Sequence, residues 1–326
     1  MSSDLVLGID LGGTDCKFGV VDTQGRVIHS SKNSTRSELG PEGVIDDIAN
    51  HARNLLAVHK VKAIGVGVPG PMSSRLGIVF ETPNLPGWVN VPARKMLEDR
   101  LQLPVTLNND ANSAAYGEYW AGAAAGVDIE CMILFTLGTG VGGGIIMNGK
   151  LYVGPDDTAG ELGHMCINFD GPKCGCGSNG CLEAYASATA IRREVKQALA
   201  AGTKTSIHIP EGAEEDFGAK VVYDAAVGGD AFAIDLFRRV GDALGVAAAT
   251  MINVLNPDMI AYGGALANAG DFIFTPLKER AHKNAFEQPA KRVKIVKATL
   301  GNDAGIIGAA GLAMLAHGEN PPSRQS

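Results

Sequence analysis

Two segments of this chain share one plan: an apolar strand, a turn of glycine and threonine, and a second apolar strand. Leu5–Ile9 runs into Asp10-Leu11-Gly12-Gly13-Thr14 and resumes at Phe18–Val21. Met132–Leu137 runs into Gly138-Thr139-Gly140-Val141-Gly142-Gly143-Gly144 and returns at Ile145–Met147. Strands joined through so tight a turn pair back on each other, so each segment starts a sheet. The match between them is short. Yet the segments open the two halves of the chain, a pattern that predicts duplicated α/β domains facing one cleft. At 326 residues the chain is long enough for two cores.

Between and after these segments, helical and extended stretches alternate. After the first hairpin, Pro41–His59 has apolar residues at helical spacing, and Lys62–Val68 is a buried strand stopped by Pro69-Gly70-Pro71. Ser73–Val91 reads as a loop or small flap. Its Asn84 and Trp88 either face a ligand or belong to an ordinary loop. Val105–Asn109 is a short strand, and Asp110 stands where a helix over Ala111–Ala121 begins, a junction at which α/β proteins place functional groups. Further on, Leu182–Ala201 and Asp230–Leu255 are predicted helices, and Met259–Tyr262 is a central strand followed by Gly263-Gly264. Phe272–His282 is a helix, Val293–Lys297 a strand and Asp303–Leu315 a helix of small residues. Gly318–Ser326 is expected to fray.

Charge and cysteine usage narrow the partners. The 28 basic residues are outnumbered by 35 acidic ones, and no Lys/Arg block stands out, so nucleic acid is not an expected partner. An anionic cofactor remains compatible, because backbone N–H groups can meet phosphate locally. The start lacks a basic region and a long apolar core, so no signal peptide is expected. Ala243–Leu255 is too short for a membrane span. A cytoplasmic protein with reduced thiols follows. Three of the six cysteines fall within Cys174–Cys181, which points to metal more than to disulfides.

That cluster reads Cys174-x-Cys176-x4-Cys181, with His164 nine intervening residues upstream. Three sulfurs and an imidazole suit tetrahedral zinc, and Gly175, Gly177 and Gly180 let the chain turn between ligands. Four protein ligands leave no open position, so the zinc is structural. The competing readings are three free thiols in a tight loop, or a redox pair. The redox pair is the weaker, because no Cys-x2-Cys arrangement is present. Cys16, Cys131 and Cys166 read as small hydrophobes packed beside strands. Glu161 and Glu183 bracket the ligands. Either alone is an ordinary surface glutamate, but beside a metal-clipped loop each could accept sugar hydroxyls. His164 could bind metal through one nitrogen and offer the other N–H outward.

The glycine turns can converge backbone N–H groups on phosphate, with Thr14 and Thr139 adding hydroxyls. Neither is a Walker A loop or a dinucleotide fingerprint. Each alone is as compatible with a tight turn as with a ligand loop; as a pair they favour ATP. Asp10, ending an apolar strand, could position Mg2+ through water. Asp110 could orient an alcohol and take its proton during phosphoryl transfer. Its simpler role is a helix N-cap.

Asp10-Leu11-Gly12-Gly13-Thr14, Asn109-Asp110, Leu137–Gly144, Glu161-Leu162-Gly163-His164 and Cys174-Gly175-Cys176-Gly177 through Gly180-Cys181-Leu182-Glu183 together resemble the ROK family of bacterial sugar kinases and sugar-responsive repressors. Among its members they are most similar to ATP-dependent glucokinases. The resemblance implies an α/β fold of the two-domain actin-like ATPase (ribonuclease H-like) kind with an interdomain cleft. Residues 1–117 plus 301–326 would form a small domain with the first phosphate loop and Asp110, and 118–300 a large domain with the second loop and the zinc loop. Asp110 would be the catalytic base. Asn109, Glu161, His164 and Glu183, with Asn84 from the flap, would bind sugar. Asp10, Gly12, Gly13 and Thr14, then Gly138, Thr139 and Gly140, would hold phosphate, and Gly263-Gly264 the adenosine end. His164, Cys174, Cys176 and Cys181 would hold structural Zn2+. Dimers are usual in the family, so a homodimer or a homotetramer is expected.

Members often carry lysine directly after the first glycine run. Here Asp15-Cys16 follows, and the nearest lysine is Lys17. Family repressors have an N-terminal DNA-binding region, whereas this chain begins four residues before its first strand. The implied reaction is ATP-dependent phosphorylation of D-glucose at the 6-hydroxyl, giving glucose 6-phosphate and ADP in glycolysis. The alternatives are mannose, fructose, N-acetylglucosamine or N-acetylmannosamine as acceptor, polyphosphate as donor, and a sugar sensor without turnover. Asp110 argues against the sensor.

Overall fold

A computed structural model describes residues 4–82, 84–212 and 217–318. The expected fraying beyond Gly318 lies outside the described residues, as do Pro83 of the flap and residues 213–216. In chain order the first elements are β1 (Leu5–Leu11), β2 (Asp15–Val21), β3 (Val27–Ser34), α1 (Gly40–Val58), β4 (Val61–Val68), β5 (Met72–Ser73), β6 (Ile78–Glu81) and β7 (Val89–Val91). Then come α2 (Ala93–Leu101), β8 (Val105–Asn109), α3 (Asp110–Trp120), β9 (Cys131–Leu137), β10 (Val141–Met147) and β11 (Lys150–Leu151). The chain ends with α4 (Glu183–Ala186), α5 (Ala188–Ala200), α6 (Lys220–Val227), α7 (Ala231–Leu255), β12 (Met259–Gly263), α8 (Asp271–Asn284), α9 (Glu287–Arg292), β13 (Lys294–Lys297) and α10 (Ala304–Ala316).

The two glycine turns do open two sheets. The first has the order β3-β2-β1-β4-β8 and the second β11-β10-β9-β12-β13, so the same five-strand pattern occurs twice. In the first sheet β1 and β2 are antiparallel, with Leu11 opposite Cys16, while β4 runs parallel to both β1 and β8. Parallel neighbours need crossovers, supplied by α1 and α2. The flap forms a small antiparallel sheet, β5-β6-β7.

The chain divides into two compact units. One comprises Met1–Leu134, Gly144–Gly160 and Ala298–Ser326, the other Phe135–Gly143 and Glu161–Lys297. In the first unit, one face of the sheet buries Ile9, Phe18, Ile64 and Val66 against Val44, Ile45, Ile48 and Leu97 of α1 and α2. The opposite face receives α10, and glycine in the strands permits its approach. A Cβ on Gly8 would lie 2.0 Å from the Ile306 carbonyl oxygen, and one on Gly65 1.8 Å from that of Ala309. Such contacts let helix backbone rest on strand backbone.

Two expectations need correcting, and one open alternative narrows. The helix foreseen over Leu182–Ala201 breaks at Ser187, whose hydroxyl accepts the Ala190 N–H at 3.0 Å and starts α5 anew. Trp88 does not face a ligand; it is buried in the first unit's core at 1% exposure. Cys166 is not a packed hydrophobe, because its loop leaves it exposed, whereas Cys16 and Cys131 are buried. Among the described residues no helix is long and apolar enough to cross a membrane.

Candidate active site and metal centre

In the first unit the Asp10–Thr14 turn is held from one side. The Gly12 N–H donates to the Asp15 carbonyl at 3.0 Å, and Thr35 donates its hydroxyl to the Gly12 carbonyl at 2.7 Å and its N–H to that of Thr14 at 2.8 Å. Thr35 lies far along the sequence in a polar stretch, so its part in the turn was not foreseen. Gly13 is pressed against the flap, where a Cβ would lie 3.0 Å from the Asn84 carbonyl oxygen. Asn84 and Thr14 are exposed there.

Asp10 is half-buried at the end of β1. Burial raises its carboxyl above the usual range, and Lys17, 3.6 Å away on β2, partly offsets this. The first turn of α10 touches the same carboxylate, since a Cβ on Gly305 would come within 2.7 Å of it. A helix N-terminus favours negative charge in its neighbourhood. The extra charge at Asp15 is met by Lys32 at 3.4 Å.

The junction of β8 and α3 separates two roles between neighbours. Asn109 caps the helix: its side-chain oxygen accepts the N–H groups of Ala111 at 3.0 Å and Asn112 at 3.2 Å. Asp110 is the first helical residue, half-buried, with one carboxylate oxygen accepting the Ala111 N–H at 2.8 Å. Asn109 is the cap, Asp110 shares the Ala111 N–H with it, and the Asp110 carboxylate lies at the positive end of the helix.

In the second unit the Gly138–Gly140 turn is also tied down. The Gly138 N–H donates to the Gly140 carbonyl at 3.0 Å, Ala188 donates to the Gly138 carbonyl at 2.9 Å, and the Thr189 hydroxyl donates to the Thr139 carbonyl at 2.8 Å. The break at Ser187 aims the start of α5 at this turn. Gly264, at φ +90°, approaches so closely that a Cβ would lie 2.3 Å from the Leu137 carbonyl oxygen. Gly263-Gly264 and the second turn are thus neighbours.

The cysteine loop meets the same turn. A Cβ on Gly163 would lie 1.9 Å from the Val141 carbonyl oxygen, so the Glu161–His164 segment is pressed onto the start of β10. Glu183 joins the two features: one carboxylate oxygen accepts the Val141 N–H at 3.0 Å, and the other lies 3.7 Å from the Cys174 sulfur. Glu161 is exposed, and the His164 N–H donates to its carbonyl at 3.1 Å.

His164, Cys174, Cys176 and Cys181 present four ligand atoms within 4.8 Å of one another. The geometry of tetrahedral zinc tests them. Bonds of about 2.3 Å to sulfur and about 2.0 Å to nitrogen place two sulfurs about 3.8 Å apart, and sulfur about 3.5 Å from nitrogen. The Cys176 and Cys181 sulfurs are 3.7 Å apart, and the Cys174 sulfur is 3.6 Å from His164 Nδ1. The donor set fits zinc in chemistry and in spacing. With Nδ1 turned towards the sulfurs, the Nε2 side of His164 remains for another partner.

The ROK family model matches residues 6–316. The chain is 38% identical to a glucokinase of Thermotoga maritima over 307 residues, covering 94% of this chain and 96% of that protein. Among solved structures, a ROK hexokinase from Thermus thermophilus is 33% identical, with a TM-score of 0.83 and coverage of 97% of this chain and 100% of that one. A ROK family glucokinase from Streptomyces griseus, solved in complex with glucose and AMPPNP, is 35% identical, with a TM-score of 0.81 and coverage of 95% and 99%.

Proposed function

The chain belongs to the ROK family, and on that premise we propose that it is a hexose kinase that moves the terminal phosphoryl group of ATP to the 6-hydroxyl of D-glucose. Its α/β fold is that of the actin-like ATPase sugar kinases. The observation that carries the reading is Asp110, placed at the start of α3 with the capping role taken by Asn109. The Asp110 carboxylate orients the sugar hydroxyl and accepts its proton as that oxygen bonds to phosphorus, while the bond from phosphorus to the bridging oxygen of ADP breaks. Asn109, Glu161, His164 and Glu183, with Asn84, hold the sugar hydroxyls. Gly12, Gly13, Thr14, Gly138, Thr139 and Gly140 offer N–H and hydroxyl donors to the phosphates, and Gly263-Gly264 receives the adenosine end.

Asp10 would hold Mg2+ through water, and that ion supplies charge neutralisation on the phosphates. His164 Nδ1 and the sulfurs of Cys174, Cys176 and Cys181 would hold Zn2+, which fastens the loop bearing Glu161 and Glu183. In this reading the protein works as a cytoplasmic homodimer or tetramer at the entry of glucose into glycolysis. The test is a coupled assay with ATP and Mg2+ against glucose, mannose, fructose, N-acetylglucosamine and N-acetylmannosamine, repeated with polyphosphate. Glucose 6-phosphate and ADP in equal amounts are expected with glucose as the preferred acceptor. Sugar phosphate from none of the five removes the kinase, and a preference for another sugar removes glucose.

A further inference from the structure

We propose that Cys166 is a peroxide-sensitive modification site that closes a disulfide onto Cys181 and so removes one thiolate from the metal centre. The disulfide rests on backbone geometry alone; its effect on the metal rests on the zinc reading above. Cys166 and Cys181 face each other in an isolated antiparallel bridge. The Ile167 N–H donates to the Gly180 carbonyl at 2.9 Å, and the Leu182 N–H to the Met165 carbonyl at 2.9 Å. These bonds flank the cysteine pair instead of joining it, which is the non-hydrogen-bonded position of an antiparallel ladder. There the Cα atoms stand about 4.5 Å apart and the side chains project from one face. A disulfide spans Cα separations of about 4.4 to 6.8 Å. The bond can therefore form by side-chain rotation.

Gly180 keeps the two segments this close. Its φ is +66°, and a Cβ there would lie 1.6 Å from the Asn168 carbonyl oxygen. Exposure and the ligand set together assign the order of events. Cys166 and Cys176 are exposed and Cys181 is buried, but Cys176 belongs to the four-ligand set and Cys166 does not. With the metal bound, the Cys166 thiol is the one open to hydrogen peroxide first. Its sulfur bonds to one peroxide oxygen, the O–O bond breaks, and water leaves behind a sulfenic acid. The Cys181 sulfur then attacks the sulfenic sulfur, forming the S–S bond and breaking the S–O bond with loss of a second water. Two thiols lose two electrons in total, and one peroxide becomes two waters. His164, Cys174 and Cys176 are left as an incomplete set, and the loop that carries Glu161 and Glu183 loses its fastening.

The experiment treats the full-length protein and Cys166→Ser with hydrogen peroxide, maps linked peptides without reductant and follows zinc release with a chromogenic chelator. In the parent, a peptide pair joining Cys166 to Cys181 is expected, with zinc appearing in step and dithiothreitol plus zinc reversing both. Cys166→Ser should keep its zinc and its basal activity at a peroxide dose that empties the parent. Absence of the Cys166–Cys181 link, a link only between Cys176 and Cys181, or equal zinc loss from both proteins would overturn the proposal. Zinc measured before treatment separates the two readings: protein without zinc that still forms the link supports the disulfide and removes the metal.

Discussion

Asp110 and Asn109 differ by one atom group, yet they divide the work at the start of α3. Both residue types are good helix caps, and only backbone geometry settles which one caps. The strand-to-helix junction was legible from Val105–Asn109 and the helix expected over Ala111–Ala121; the division of roles was not. Asp110→Asn keeps a side chain that can bond to a hydroxyl but not one that accepts its proton. Its kcat should fall by about 10²–10⁴-fold, with glucose binding by calorimetry nearly unchanged. A kcat equal to the parent's would reject the assignment. Asp10 yields a prediction about pH. Burial raises its carboxyl despite Lys17, so the folded state holds that proton more tightly than the unfolded chain does. Stability therefore declines as pH rises from the unfolded value of 3.8 through the raised folded one. Asp10→Asn should lose that decline, gaining thermal stability relative to the parent at pH 7 but not below pH 4, while activity with Mg2+ falls. Cys166 was misread, and Trp88 was left open between ligand and ordinary loop, for a shared reason: burial of a loop residue depends on what packs over it, and local sequence does not report that.

The long helix α7 was readable almost to its ends because Asp230 precedes a sustained apolar period and Asn256-Pro257 follows it. The cap is confirmed by the Ala233 N–H, which donates to the Asp230 carboxylate at 2.9 Å. Burial opposes ionisation of Asp230, but N–H groups of Ser206 and Ala233 hold its carboxyl down to about 2. Asp230→Ala should cost about 1 kcal/mol in denaturant unfolding at pH 7. The carboxylate stabilises above its unfolded value of 3.8 and loses that effect as pH falls towards about 2, so parent and variant should converge there. The break at Ser187 was hidden because α4 and α5 form one continuous helical pattern; the contact of Ala188 with Gly138 that rewards the break is distant in sequence. The glycines of the last helix were legible as a packing device, but not their partners. A Cβ on Gly308 would lie 1.6 Å from the Ser113 carbonyl oxygen, and one on Gly117 2.4 Å from that of Ala304. Gly308→Ala must push α3 away from α10, at a cost of about 1–3 kcal/mol by overpacking. Because α3 begins with Asp110, kcat should drop along with the melting temperature; an unchanged kcat would separate the packing from the chemistry.

At the scale of the molecule, the repeated hairpins announced two sheets because a glycine turn between apolar strands admits few alternatives, while their like strand order came only from the structure. The assembly of sites across distant sequence was less legible: Glu183 follows the cysteines by only two positions, yet its carboxylate also serves the glycine turn that begins at Gly138. If the zinc reading holds, the protein should purify with about one zinc per chain. Cys176→Ser should lose most of it and bind both glucose and ATP more weakly, measured by zinc content and by calorimetry; metal-free protein of full activity would defeat the assignment. The place of α10 has a further outcome. Residues 304–316 complete the face of a sheet whose first strand starts at Leu5 and cradle the helix that begins at Asp110. While the ribosome is still making this protein, the amino-terminal fold must wait, its glycine-lined face bare, until residues 304–316 have been made. The unit built from Glu161–Lys297 has its sequence in hand sooner. A nascent chain halted near residue 300 should thus expose an apolar surface that chaperones recognise, and release of the final helix should bury it.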